Sequence, residues 1–115
     1  MKLATFRAAE RERLGAVDAS GNIIDLNAAY AGLAARRGEL APVALANARL
    51  PADIIGMLEL GPAGAEAAGE AFSFAQHLPP DDPDRHALCF PAEAARILPP
   101  VPRPPKIVCV ARNYA

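Results

Sequence analysis

LGAVDASGNIIDLNAAY (Leu14–Tyr30) changes backbone character three times in a short span. Leu14-Gly15-Ala16-Val17 is a short apolar run that reads as a strand. Asp18 to Asn22 is dense in residues that favour tight turns. Ile23-Ile24-Asp25-Leu26 reads as a second strand, because paired β-branched residues fit a pleated sheet. Asn27 then offers a helix cap. Leu26, Tyr30 and Leu33 follow at the i, i+4, i+7 rhythm of one helical face. Arg36 and Arg37 fall in the last turn, where cations complement the helix dipole, and Gly38 can end the helix.

The same logic extends in both directions. Towards the amino terminus, Leu3, Thr5 and Arg7 alternate with Ala4 and Phe6, which predicts another strand, and Ala8 to Arg13 reads as a charged turn. Three short strands joined tightly predict a β-meander. Towards the carboxyl terminus, a helix fits Pro51 to Leu60, with Asp53 in its first turn, Ile54, Ile55 and Leu58 on one face and Gly61-Pro62 as its stop. An alanine-rich helix fits Ala63 to Gln76.

The stretch from Pro79 to Pro105 holds nine of the twelve prolines. Proline suits neither a central strand nor a helix interior. We read Pro79 to Asp84 as an exposed loop, His86 to Phe90 as a short strand, and leave Ala94 to Leu98 unassigned. Pro99 to Pro105 reads as a stiff polyproline II segment. After it comes Ile107-Val108-Cys109-Val110, an apolar run expected to form a fully buried strand. The expected fold class is therefore α+β. Residues 1–80 form a small domain with a three-strand meander and two to three helices. Residues 81–105 form a proline-rich connector with a short strand. Residues 106–115 form the first strand of a second, truncated β-rich unit.

Composition narrows the function. The chain has 115 residues, enough for one domain. With 12 basic and 13 acidic residues and a net charge of −1, it offers no electrostatic reason to expect nucleic acid or an anionic membrane. No apolar run approaches a membrane span and the start lacks a signal-peptide core, so a cytoplasmic location is expected. The core should rest on Leu, Ile, Val and the four Phe. Cys89 and Cys109 sit inside apolar runs and read as buried small hydrophobes rather than reactive thiols.

Four groups of residues invite a functional reading. His77, Asp81, Asp82, Asp84 and His86 could gather round a divalent metal, but their spacing matches no strong metal motif and a solvated acidic loop explains them as well. PPVPRPP (Pro99–Pro105) contains overlapping P-x-x-P patterns that suit either a partner's groove or a rigid connector. Arg112, Asn113 and Tyr114 stand at the carboxyl end of the expected IVCV strand. Arg can grip a carboxylate in a fork, and Asn and Tyr can donate to an oxyanion, so they are the candidate substrate-binding residues. An ordinary strand exit is the alternative. Finally, the IVCV strand itself could add to a partner's sheet edge, which would make the chain a non-enzymatic interaction or dimerisation module. We find no glycine-rich phosphate loop, nucleophile elbow or complete catalytic set, so catalytic and metal residues are expected to be absent from this chain.

MKLATFR, RLGAVD, GNIIDLNAAYA, LPADIIGMLELG and above all ARILPPVPRPPKIVCVARNYA resemble the amino-terminal part of the fumarylacetoacetate hydrolase family. The resemblance implies a small α+β domain, a proline-rich connector and the first strand of a β-rich catalytic domain. It implies an enzyme that cleaves, hydrates, isomerises or decarboxylates 2-oxo or diketo carboxylic acids, as a homodimer, with Mg²⁺ or Mn²⁺ held by three carboxylates. A water-activating H-x-x-E pair and the metal carboxylates would lie beyond Ala115, so this chain alone is expected to be inactive and to partner its own catalytic domain. Arg112, Asn113 and Tyr114 match the family's active-site entry, and Ala111 stands where the family usually has Gly.

Overall fold

A three-strand meander opens the computed structural model, which describes residues 2–8, 10–91, 93 and 96–98. Strands β1 (Lys2–Ala8) and β2 (Arg11–Val17) pair antiparallel along their whole length, from Lys2 opposite Val17 to Ala8 opposite Arg11. Just before β2, Glu10 takes a left-handed φ of 63°, a conformation that tight hairpins favour. β2 thus starts three residues before the expected Leu14. Its charged leading residues hid it, because that end of the strand faces water. β3 (Ile23–Asp25) pairs with β2 from Gly15 opposite Asp25 to Val17 opposite Ile23. The turn before it is held by Asp18, whose Oδ1 accepts from the Ser20 and Asn22 amides, both at 2.9 Å.

Helix α1 (Leu26–Arg36) follows without a break, and its cap corrects the expectation. Asp25 rather than Asn27 is the N-cap, with Oδ1 accepting from the Ala28 amide at 3.1 Å. Both residue types cap well, and the end of β3 decides which comes first. The helix ends as expected at Gly38, φ 78°, with Glu39 N donating to Ala34 O and Gly38 N to Ala35 O. Those two bonds satisfy carbonyls that the last turn would leave open.

Helix α2 (Pro42–Arg49) was not expected. Only Ala46 is buried along it, so it shows no apolar stripe. α3 (Ile54–Glu59) is shorter than the expected Pro51–Leu60, because Asp53 is its N-cap and accepts from the Gly56 amide at 3.1 Å. α4 (Pro62–Gln76) matches the alanine-rich helix closely, with Pro62 in the first turn. Its buried stripe is Gly64, Ala67, Ala68, Ala71 and Ala75, and such small residues let it approach α1 and α3. A Cβ on Gly64 would lie 2.3 Å from the Met57 carbonyl oxygen.

The proline-rich stretch supplies more regular structure than expected. α5 (Pro83–Leu88) starts at Asp82, whose side chain accepts from the Asp84 amide. An Asp-Pro pair is a helix start as well as a turn signal. The expected strand from His86 shrinks to β4 (Cys89–Phe90), which pairs with β3. The unassigned stretch ends in β5 (Arg96–Leu98), which pairs antiparallel with β1, Leu98 opposite Thr5. The result is an α+β fold on a five-stranded antiparallel sheet of order β4-β3-β2-β1-β5. The polyproline segment, the IVCV strand and Cys109 lie outside the described residues. Among those described, no helix is long and apolar enough to cross a membrane.

The pairing register sorts the sheet into two faces. Leu14, Ala16 and Ile24 join Leu26, Ala29, Tyr30, Leu50, Met57, Leu88 and the α4 alanines in the main core. Ala4, Phe6, Gly15 and Ile23 alternate with these and point the other way. Phe6 is 1% exposed and Ile23 is fully buried. The Phe6 and Phe90 ring centroids are 5.5 Å apart, although β1 and β4 are three strand spacings apart, about 14 Å in a flat sheet. Both rings must lean inward and the sheet must coil for them to meet. The core also differs in composition from the expectation. Alanine fills much of it, Phe6 is the one fully buried Phe, and no described valine is buried.

Candidate functional site

Arg112, Asn113 and Tyr114 lie outside the described residues, so the candidate site is built from the rest of the chain. β3 covers β2 only from Gly15 onward, which leaves the outer edge of Leu14 open. The Ala52 carbonyl takes that place and accepts from the Leu14 amide at 2.6 Å. This bond pulls the start of α3 onto the sheet. Between them remains a cleft of about 400 Å³, lined by Thr5, Glu12, Arg13, Ala52, Asp53, Ile54 and Ile55. Its size is that of a small-ligand site. Its residues come from three separate segments, and no sequence signal gathers them.

The polar side of the cleft is tied into a network. Arg13 grips Asp25 at two points, Nε to Oδ2 at 3.0 Å and Nη2 to Oδ1 at 3.1 Å. Arg13 Nη2 also donates to Asn27 Oδ1 at 2.9 Å, and Asn27 Nδ2 donates to Leu50 O at 2.8 Å and to Asn47 Oδ1 at 3.1 Å. Asn27, expected as a cap, is instead a buried bridge from α1 to the end of α2. Every buried side-chain polar atom among the described residues is satisfied. Such a network fixes geometry rather than reacting. On the rim, Glu12 pairs with Arg7.

A second, more open groove of about 620 Å³ runs between α1 and α4, past Arg36, Arg37, Ser73, Phe74 and His77. Its cations are already engaged. Arg36 bonds Asp82 and Asp84 at 3.1 and 3.0 Å and lies 5.4 Å from the Phe74 ring centroid, while Arg37 pairs with Glu70 at 3.1 Å. The Asp84 amide, then Arg36, hold the Asp82 carboxyl below its ordinary range. These contacts decide the His77–His86 cluster. Asp82 and Asp84 serve Arg36 and the α5 cap, and His77 Nδ1 lies 2.7 Å from the Ser73 carbonyl. No group of three or more His, Cys, Asp or Glu among the described residues could hold a metal ion. Burial pushes the half-buried Cys89 thiol up, away from the reactive thiolate.

Among the described residues, fold and clefts define a small α+β domain with a hydrogen-bonded polar frame beside an apolar cleft. The chain matches no protein-family model and no curated protein.

Proposed function

We propose that this chain is the amino-terminal domain of a divalent-metal-dependent enzyme of the fumarylacetoacetate hydrolase type, acting on 2-oxo or diketo carboxylic acids. The observation that carries the reading is the order of parts along the chain. An α+β sheet takes its outer strand from Arg96–Leu98. A proline-rich spacer and then KIVCVARNYA come directly after it. In this reading the domain packs on its own catalytic domain within a cytoplasmic homodimer. Arg112, Asn113 and Tyr114 lead into the substrate site. Mg²⁺ or Mn²⁺, held by the catalytic domain's carboxylates, supplies Lewis-acid chemistry when bound. The described residues contribute packing and position.

The test is to read the coding frame beyond the codon for Ala115, express what it encodes and assay it on a panel of 2-oxo and diketo acids with Mg²⁺. The reading expects H-x-x-E, then two glutamates separated by one residue, and turnover that EDTA abolishes. A stop codon directly after Ala115 would sink it and favour an interaction module instead.

A further inference from the structure

α2 is apolar on the side that faces water as well as on the side that packs. Leu40 to Ala48 contains no charged residue, and Asn47 is its one polar side chain. Ala46 turns into the core, whereas Val43, Ala44, Asn47 and Ala48 are exposed. Leu40, just before the helix, is 92% exposed and Val43 63%, the two least covered large apolar side chains among the described residues. Ala44 and Ala48 are four residues apart and share one face of the helix. At the far end of that face, Ala48 lines a hollow of about 270 Å³ with Arg49, Leu60, Ala63 and Ala67. One end of α2 thus carries an apolar knob, and the other an apolar hollow.

The charges follow the same direction. Glu39 stands beside the knob and makes no ion pair among the described residues. Arg49 stands at the hollow, bonds Tyr30 Oη at a long 3.4 Å and feels Glu39 of its own chain only through space. A surface with a knob and an acid at one end and a hollow and a base at the other is complementary to itself turned by half a circle. We propose that the outer face of α2 binds a second copy of this chain about a two-fold axis near Ala44. The two α2 helices run antiparallel. Leu40 enters the hollow beside the partner's Ala48, Glu39 meets the partner's Arg49, and each contact is made twice. Ala44 meets the partner's Ala44, and their small side chains allow the helices to approach closely. One helix per subunit buries less than the roughly 800 Å² per partner of a stable complex, so the dimer is weak. The contact goes beyond the enzyme reading above and stands whether or not a catalytic domain follows.

The experiment is sedimentation equilibrium of the intact chain from about 5 µM to about 1 mM, a range that brackets weak interfaces. The proposal expects a monomer at the low end and a dimer at the high end. Leu40→Asp, at a site too exposed to disturb folding, should weaken association by about tenfold or more. Glu39→Arg should weaken it by about three- to tenfold, and adding Arg49→Glu should restore it. With Cys89→Ser and Cys109→Ser in the background, Ala44→Cys should oxidise rapidly to a disulfide-linked dimer, since the axis brings the two positions within bridging distance. Asp81→Cys, exposed but away from α2, serves as the control and should not. A monomer throughout the range would overturn the proposal. So would association that Leu40→Asp leaves unchanged, which would place the contact on another surface. Ala44→Cys that crosslinks no faster than Asp81→Cys, or a charge reversal that Arg49→Glu fails to rescue, would overturn the antiparallel two-fold arrangement.

Discussion

Arg13 on β2 and Asp25 at the end of β3 face each other in a two-point fork, and Asp25 at the same time caps α1. The two side chains are 14% and 10% exposed. One carboxylate thus ties the sheet to the first helix, and through Asn27 the tie continues to the end of α2. Arg13→Met should leave Asp25 and Asn27 short of partners and cost about 2–4 kcal/mol in urea unfolding. Asp25→Asn, which keeps a cap but loses the charge, should cost less than Asp25→Ala by about 1 kcal/mol.

Gly15 lies beneath two large side chains. A Cβ there would stand 2.7 Å from Ile23 Cγ2 and 2.8 Å from Phe6 Cδ1. Neither neighbour has room to retreat, since both are buried. Gly15→Ala is expected to destabilise by about 1–3 kcal/mol. Combined with Ile23→Ala, which removes the clashing Cγ2, it should lose less than the sum of the single changes, a coupling that a double-mutant cycle measures.

Ala41 caps α2 in a left-handed conformation, φ 51° and ψ 59°. That region is costly for any residue with a Cβ, and alanine caps poorly. Ala41→Gly should therefore stabilise the protein by about 1 kcal/mol, visible as a rise of about 4 °C in Tm. No change in a thermal melt would mean that the strain is relieved some other way.

Asp82 sets a pH dependence. Its carboxyl is held below the ordinary range by the Asp84 amide first and by Arg36 second. A depressed folded-state pKa means that its contribution is fully present above the unfolded value, about 3.9, and is lost as pH falls through the folded value. Carbon-13 titration of the Asp82 carboxyl should show the low midpoint. Arg36→Gln should raise it only in part, since the larger cause remains. A midpoint in Arg36→Gln fully back in the ordinary range would show that the amide bond is not the main cause.

The legible parts of the fold were those that local chemistry decides. The meander follows from alternating apolar residues around Asp18–Asn22, a turn held by one aspartate. α4 follows from its alanines, although Pro62, expected to stop the helix before it, opens it instead, and Gly38 ends α1 as its sequence suggests. The misreadings have local causes as well. α2 has no apolar stripe, α5 opens on an Asp-Pro pair that looked like a loop, and Asp25 and Asn27 compete for one cap.

The candidate cleft was not legible, because it exists only where Thr5, Glu12 and Arg13 meet Ala52–Ile55. Local sequence determined the meander, the turn chemistry, the alanine-rich helix and the α+β class, since propensity and periodicity act over a few residues. The tertiary structure alone decided the outer strands β4 and β5, the Phe6–Phe90 contact over Gly15, and the Arg13–Asp25–Asn27 frame. These join residues far apart in the chain. Their energies come from burial and hydrogen bonding between elements, which no local pattern encodes.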